Sequence, residues 1–247
     1  MAGSQAVIEI RRLRQFEEFA EAVRLQQTVW GFADSEMLPL RSFVVYGEIG
    51  GQLFGAYDGD EMAGFLIAVP GIKPGPRPYL HSHMLGVLPA WRNAGIGRRL
   101  KLRQREEALE RGIELIEWTF DPLELKNAFF NLERLGAVVR QYSENQYGVT
   151  DSPLHGGLPT DRCIAEWWID SPRVRAVLAG EAVARHVEER IGFPSDMARI
   201  RSEEPGRARE IQRINGEKFQ RAFERGLAVT GFERSETEGT YLLEPWP

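Results

Sequence analysis

The stretch Leu85-Gly86-Val87-Leu88-Pro89-Ala90-Trp91-Arg92-Asn93-Ala94-Gly95-Ile96-Gly97-Arg98 joins two kinds of pattern. A strand-like alternation ends, two glycines follow two apart, and a helical period starts at once. The first amides of a helix have no acceptor inside it, so such a turn aims several N–H groups at one point. The helix dipole adds partial positive charge there. Glycine lets a ligand approach the backbone closely. The chemistry this suits is phosphate or pyrophosphate binding. A P-loop would end in Gly-Lys-Ser/Thr, but Gly97 is followed by Arg98-Arg99. A dinucleotide fingerprint needs a third glycine where Leu100 stands.

Just upstream, His81 and His83 are two apart in an alternating run where Tyr79, His81, His83, Leu85 and Val87 share one face. Imidazole titrates near neutral pH and suits proton transfer. Two hydrogen-bonded structural histidines would give the same pattern. His-x-His offers two metal ligands, but His155 and His186 lie far along the chain and local spacing supplies no third. No metal is expected. Glu117, Thr119 and Asp121 share a face at the end of another apolar run. Asp121 suits orientation of a substrate amine, and equally a helix cap before Pro122. Cys163 is the only cysteine and fits a core position better than a nucleophile. No Ser/His/Asp or Cys/His set points to a covalent route. Trp118, Trp167, Trp168 and Tyr147 could line a pocket. Trp167 and Trp168 are adjacent in a strand and must face opposite ways.

The elements that position these residues read as follows. A strand is expected over 7–13 and a helix over Phe16–Trp30, stopped by Gly31. Residues 33–50 have no clear period. Gln52–Tyr57 and Met62–Val69 form a hairpin around Asp58-Gly59-Asp60. Residues 70–78 are a proline-glycine loop, and Tyr79–Leu88 is a third strand. Gly95–Arg111 is an amphipathic helix with Ile96, Leu100, Arg103, Glu107 and Leu109 among its turns, ended by Gly112. Ile113–Phe120 is a strand, and a helix from Asp121-Pro122 to Leu135 is closed by Gly136. Ala137–Tyr142 and Arg162–Ile169 are strands. Glu203–Arg225 is a long charged helix with a narrow apolar stripe, and Gly226–Phe232 with Thr240–Leu243 can close a hairpin.

The run Arg92-x-x-Gly95-x-Gly97 resembles the acetyl-CoA-binding signature of the GNAT N-acetyltransferase superfamily. Leu85-Gly86-Val87 resembles the strand that pairs with the pantetheine arm, and Asn127-Ala128 with Leu135-Gly136-Ala137 resemble the fifth-strand to fourth-helix segment. Element order matches from about residue 7 to 170. His81-Ser82-His83-Met84-Leu85, Trp118-Thr119-Phe120-Asp121-Pro122 and Gly157-Leu158-Pro159-Thr160-Asp161-Arg162 resemble an uncharacterised bacterial branch of that superfamily. The resemblance implies an α/β (α+β) fold with a mixed, largely antiparallel central sheet flanked by helices. It also implies acetyl-CoA as co-substrate, with Leu85, Gly86, Val87, Arg92, Asn93, Ala94, Gly95, Ile96, Gly97, Arg98 and Asn127 as cofactor-binding residues. Some members place a base eleven residues before Arg92, which here is His81. The acid is a tyrosine in many members, four residues before Gly136, and here that position is Leu132. Tyr142 or Tyr147 could serve instead. The candidate catalytic set is His81, His83, Asp121 and Tyr142. The implied activity is direct acetyl transfer to the amine of a small or amino-acid-like acceptor. The alternatives are a non-catalytic acyl-CoA sensor and a transferase using a longer acyl donor.

Composition bounds these readings. The chain has 247 residues, a hydrophobic fraction of 43% and a formal net charge of −5, so it can bury a large core and is no general nucleic-acid binder. Lys and Arg total 31, and only Lys73, Lys101, Lys126 and Lys218 are lysines. Arginine forks suit carboxylates and phosphates. No run of roughly 18 apolar residues suggests a membrane span. The first residues are charged where a signal peptide would be apolar, so the expectation is a cytoplasmic protein. A GNAT-like domain is expected over 1–170. A C-terminal α/β extension over 171–247 would extend the sheet or cap the acceptor site. Exposed strand edges could pair two copies into a homodimer.

Overall fold

The computed structural model describes residues 8–73, 77–148 and 156–246. His155 and residue 7 lie outside them. The chain is a mixed α/β protein with largely antiparallel strands flanked by helices. Contacts divide it into two compact units, Met1–Ile116 and Glu117–Pro247. The boundary expected at 170/171 does not coincide with that division. Instead it falls inside the second unit, because strands on both sides of it pair in one sheet.

In the first unit, β1 (Glu9–Arg12), β2 (Gln52–Asp58), β3 (Glu61–Ile72) and β4 (Pro78–Val87) pair antiparallel in that order. One face is covered by α1 (Phe16–Trp30) and α2 (Leu40–Glu48), which bury Phe19, Leu25 and Phe43 against Leu53, Phe65 and Ile67. Helix α1 has the expected bounds. Glu18 reaches back to accept from the amides of Arg14 (2.7 Å) and Gln15 (3.0 Å), and Gly31 ends the helix at φ 68°. Helix α2 lies in the segment that has no clear period, and Phe43 is its one fully buried side chain. A nine-residue helix anchored at one point leaves no repeat to read.

Helix α3 (Ile96–Glu110) covers the opposite face, where Lys101 Nζ meets Ser82 Oγ at 2.8 Å. Its buried positions are Ile96, Leu100, Lys101, Gln104, Glu107 and Ala108, rather than a stripe containing Arg103 and Leu109. Two hydrogen bonds link these polar groups: Gln104 Oε1 accepts from Lys101 (3.1 Å), and Gln52 Nε2 donates to the Gln104 carbonyl (3.1 Å), while among the described residues Gln52 Oε1 and Gln104 Nε2 are buried without a partner.

In the second unit the strand order is β5 (Leu115–Phe120), β7 (Arg162–Trp168), β6 (Val138–Ser143), β9 (Leu227–Arg234), β10 (Glu238–Pro245) and β8 (Glu189–Pro194). The expected helix from Asp121 is shorter. Asp121 Oδ1 accepts from the Leu123 amide (2.8 Å), a side-chain turn that delays α4 to Leu125–Phe129. The helix then widens into a π-turn over Phe130–Arg134, where the Leu135 amide bonds back to Phe130 at 3.1 Å. Three elements go beyond the sequence expectations: α5 (Pro172–Ala179), with Ser171 capping the Val174 amide and Gly180 at φ 78°, β8, and α6 (Met197–Glu203). The expected charged helix over 203–225 is α7 (Pro205–Glu224), set off from α6 because Pro205 holds Glu204 out of the helical region at φ −131°. Phe219 of α7 is the centre of an aromatic cluster with Tyr142, Phe193, Phe223 and Tyr241. Among the described residues no helix is long and apolar enough to cross a membrane.

Phe219→Ala should therefore destabilise the second unit by about 3–5 kcal/mol. Phe16→Ala, at a ring 64% exposed, should change stability by less than about 0.5 kcal/mol. Urea denaturation of the two variants checks the contrast.

Candidate active site

The turn between β4 and α3 is built from backbone. Pro89–Trp91 form a 3-10 turn, with the Trp91 amide on the Leu88 carbonyl at 2.9 Å. Asn93 and Gly95 then take left-handed conformations, φ 64° and 77°. Helix α3 has Gly95 as its cap, no side chain capping it and no acidic residue in its first turn. The Arg99 amide is the first to reach back, to the Gly95 carbonyl at 3.1 Å, so the amides of Ile96, Gly97 and Arg98 precede any intrahelical acceptor. A Cβ on Gly95 would meet nothing within 4 Å, and one on Gly97 only Leu85 Cδ2 at 3.5 Å. Open space beside uncapped amides fits a pyrophosphate.

The other residues of the motif play different parts. Ile96 is buried and anchors the helix. Ala94 and Asn93 are exposed. The Arg92 guanidinium donates to the carbonyls of Val87 (3.4 Å) and Val29 (3.3 Å), so it ties the turn to β4 and α1. At Gly86 a Cβ would stand 3.0 Å from both Trp30 and Phe65. That glycine therefore makes room for packing, and only its backbone can serve a ligand.

His81 and His83 are neighbours on β4, ring centroids 6.1 Å apart. The expected single face for Tyr79, His81, His83, Leu85 and Val87 does not hold. A bulge shifts the register between Ile67/Met84 and Ala68/Ser82, leaving His83 as the extra residue. Beyond it Leu85 points to α3, whereas Met84 joins the core under α1 and α2. His81, paired opposite Val69, stays on the α1 and α2 face. Burial pushes its pKa down to about 4, with further lowering from His83, Lys101 and Lys73. His83 is exposed at the bulge, although packing around its ring still lowers its pKa from 6.5. Burial holds Lys101 well below the usual lysine range. Nothing in the sequence reading singled out this lysine. Its only signal was a cation among the inward positions of α3.

In the second unit, Asp121 is held by its own turn and by Arg201 of α6 at 2.9 Å, and Arg201 also reaches Glu124 at 3.0 Å. Asn127 is exposed on α4. Asn131 accepts from the Trp118 indole at 3.3 Å, and Leu132 is fully buried. The Tyr142 hydroxyl donates to Asp161 at 2.6 Å, and its ring stacks on Phe219. Burial and the Asp161 carboxylate push its pKa well up. Tyr147 is 52% exposed, and its hydroxyl shares a hydrogen bond with Thr119 at 2.9 Å. Trp118 and Trp167 pack edge to face in the core, while Trp168 points outward. Cys163 is fully buried, and burial pushes its thiol up. Among the described residues no group of three or more His, Cys, Asp or Glu could hold a metal ion.

The family model "Acetyltransferase (GNAT) family" matches residues 13–136, half of the chain, and the chain belongs to that family. It is an acetyltransferase with acetyl-CoA as its co-substrate. Solved structures share the fold at low identity. The ribosomal-protein-S18-alanine N-acetyltransferase of Escherichia coli is 16% identical, with TM-score 0.52, over 74% of this chain and 100% of that one. A GNAT-family protein from Desulfovibrio desulfuricans is 17% identical, with TM-score 0.52, over 66% and 99%. A NatC complex bound to Gag peptide and CoA is 15% identical, with TM-score 0.52, over 64% and 96%. No curated protein sequence matches the chain.

His81 makes stability depend on pH. Its pKa falls from 6.5 to about 4 on folding, so between those values the unfolded chain binds more protons and stability drops as pH falls. Because His81 is partly exposed, the loss should be below about 3 kcal/mol. It should be complete near pH 4, and His81→Gln should flatten that limb of urea denaturation midpoints against pH.

Proposed function

We propose that this chain transfers an acetyl group directly from acetyl-CoA to the amine of a small, amino-acid-like acceptor. The observation that carries the reading is the uncapped start of α3 behind the left-handed Gly95. There the amides of Ile96, Gly97 and Arg98 would hold the pyrophosphate, and the backbone at the end of β4 would orient the arm. Bound acetyl-CoA supplies an activated thioester. The acceptor amine must lose a proton to attack it. His83 is our candidate base, because the bulge exposes it. His81 stays neutral at physiological pH and leaves its neighbour free of a second positive charge. Asp121 is tied to Arg201, which suits a fixed orienting carboxylate. Tyr142 is engaged with Asp161, so Tyr147, with its accessible hydroxyl, is the better candidate acid. Asn127 remains a candidate cofactor contact. The acceptor class rests on the arginine-rich composition, since guanidinium forks suit carboxylates. A cytoplasmic setting and a homodimer belong to the same reading.

Gly95→Glu should weaken acetyl-CoA binding at least about 100-fold by calorimetry, from like-charge repulsion and backbone strain. Gly112→Glu, at φ 69° beyond the far end of α3, imposes comparable strain and should keep binding. Equal loss in both variants would remove the turn from the cofactor site.

His83→Gln should lower kcat about 100-fold on any amine found by CoA release, with acetyl-CoA affinity unchanged. A screen of amino acids, polyamines and N-terminal peptides identifies that amine. Turnover of peptides alone would replace the small-molecule acceptor.

A further inference from the structure

A cavity of about 400 Å3 lies wholly within the second unit, beside β6, β7 and the start of α5. That volume suits a small ligand. Its lining includes Arg140, Arg173, Glu166, Trp168 and Trp246. The strand register shifts at Arg140, between Val139 and Gln141. The residue next along the same face, Val138, pairs opposite Glu166.

The Glu166 carboxylate is buried, and both its oxygens accept hydrogen bonds. Arg140 Nε reaches both oxygens at 3.1 Å, Arg140 Nη2 reaches Oε2 at 2.6 Å, and the Trp168 indole donates at 3.2 Å. The two guanidiniums are less occupied. Among the described residues Arg140 Nη1 has no acceptor. Arg173 Nη2 donates to the Thr230 carbonyl, while its Nε is buried without an acceptor. Other charges around Arg173 are Arg185, Glu133 and Glu244. Arg185 and Glu133 pair with each other at 2.8 Å, and Glu244 accepts from the His186 amide. Two cations, Arg140 and Arg173, thus line the cavity against the single carboxylate of Glu166, together with the indoles of Trp168 and Trp246, which favour a flat apolar body.

We propose that this juxtaposition of Arg140 and Arg173 with Trp168 and Trp246 is a binding site for a small, flat carboxylate. It stands apart from the acetyl-transfer reading, which uses none of these residues. The test is a titration of the full chain with sodium benzoate, followed by tryptophan fluorescence excited where benzoate does not absorb. Saturable binding at millimolar concentration is expected, and Trp168→Leu and Arg173→Gln should each weaken it about ten-fold. Benzyl alcohol and cyclohexanecarboxylate should bind more weakly than benzoate, since each lacks one recognised feature. Absence of saturation, unchanged affinity in the variants, or equal binding of benzyl alcohol would overturn the proposal. Trp168 is 36% exposed, so its variant decides the matter if Arg173→Gln fails to fold. Acetyl-CoA affinity, measured in parallel, reports separately on the cofactor turn.

Discussion

Helix α3 starts at a left-handed glycine, with no side-chain cap. A capping serine or aspartate would have filled that position in an ordinary helix. Here no side chain caps the helix, and the space beside Gly95 and Gly97 stays open. The rest of the first unit keeps this start in place. Ile96 and Leu100 bury the helix against the sheet, and Arg92 ties the turn to the carbonyls of Val87 and Val29. Lys101 adds a buried amine bonded to Ser82 and Gln104, fixing α3 against β4 and at the same time lowering the pKa of His81.

The bulge at His83 is the second constraint. One extra residue in β4 reverses the face of everything after it. Without it, Leu85 would not reach Gly97 of α3, and Met84 would leave the core under α1 and α2. The same irregularity separates the two histidines in character. His81 is held neutral by its surroundings, whereas His83 is turned out to solvent.

In the second unit the C-terminal segments brace the parts on which candidate residues sit. Arg201 of α6 clamps Asp121 and Glu124, Arg209 and Gln212 of α7 donate to the carbonyls of Gly157 and Pro159, and the Tyr241 hydroxyl donates to the Pro122 carbonyl. Beyond residue 171, β9 pairs antiparallel with β6. Tyr142 shows the cost of that arrangement for catalysis, since its hydroxyl is consumed in holding Asp161 beneath α7.

The local patterns of the chain determined the glycine turn ahead of α3, α1, the first hairpin and, apart from α2, the strand–helix order through β7. Each depends on neighbours in sequence: glycine at a left-handed position, a helical period over four turns, or a tight turn between apolar runs. Tertiary structure alone decided which face His81 presents, because a bulge is a mismatch between two strands and has no signature in either. It also decided the fate of Asp121, whose partner lies on α6, and of Lys101, whose burial follows from which side of α3 meets the sheet. Helices α2 and α5 were short enough that one buried anchor each sufficed, and one anchor makes no period. Hydrogen bonds between residues far apart in sequence set the electrostatics of the site, and spacing along the chain carries no record of them.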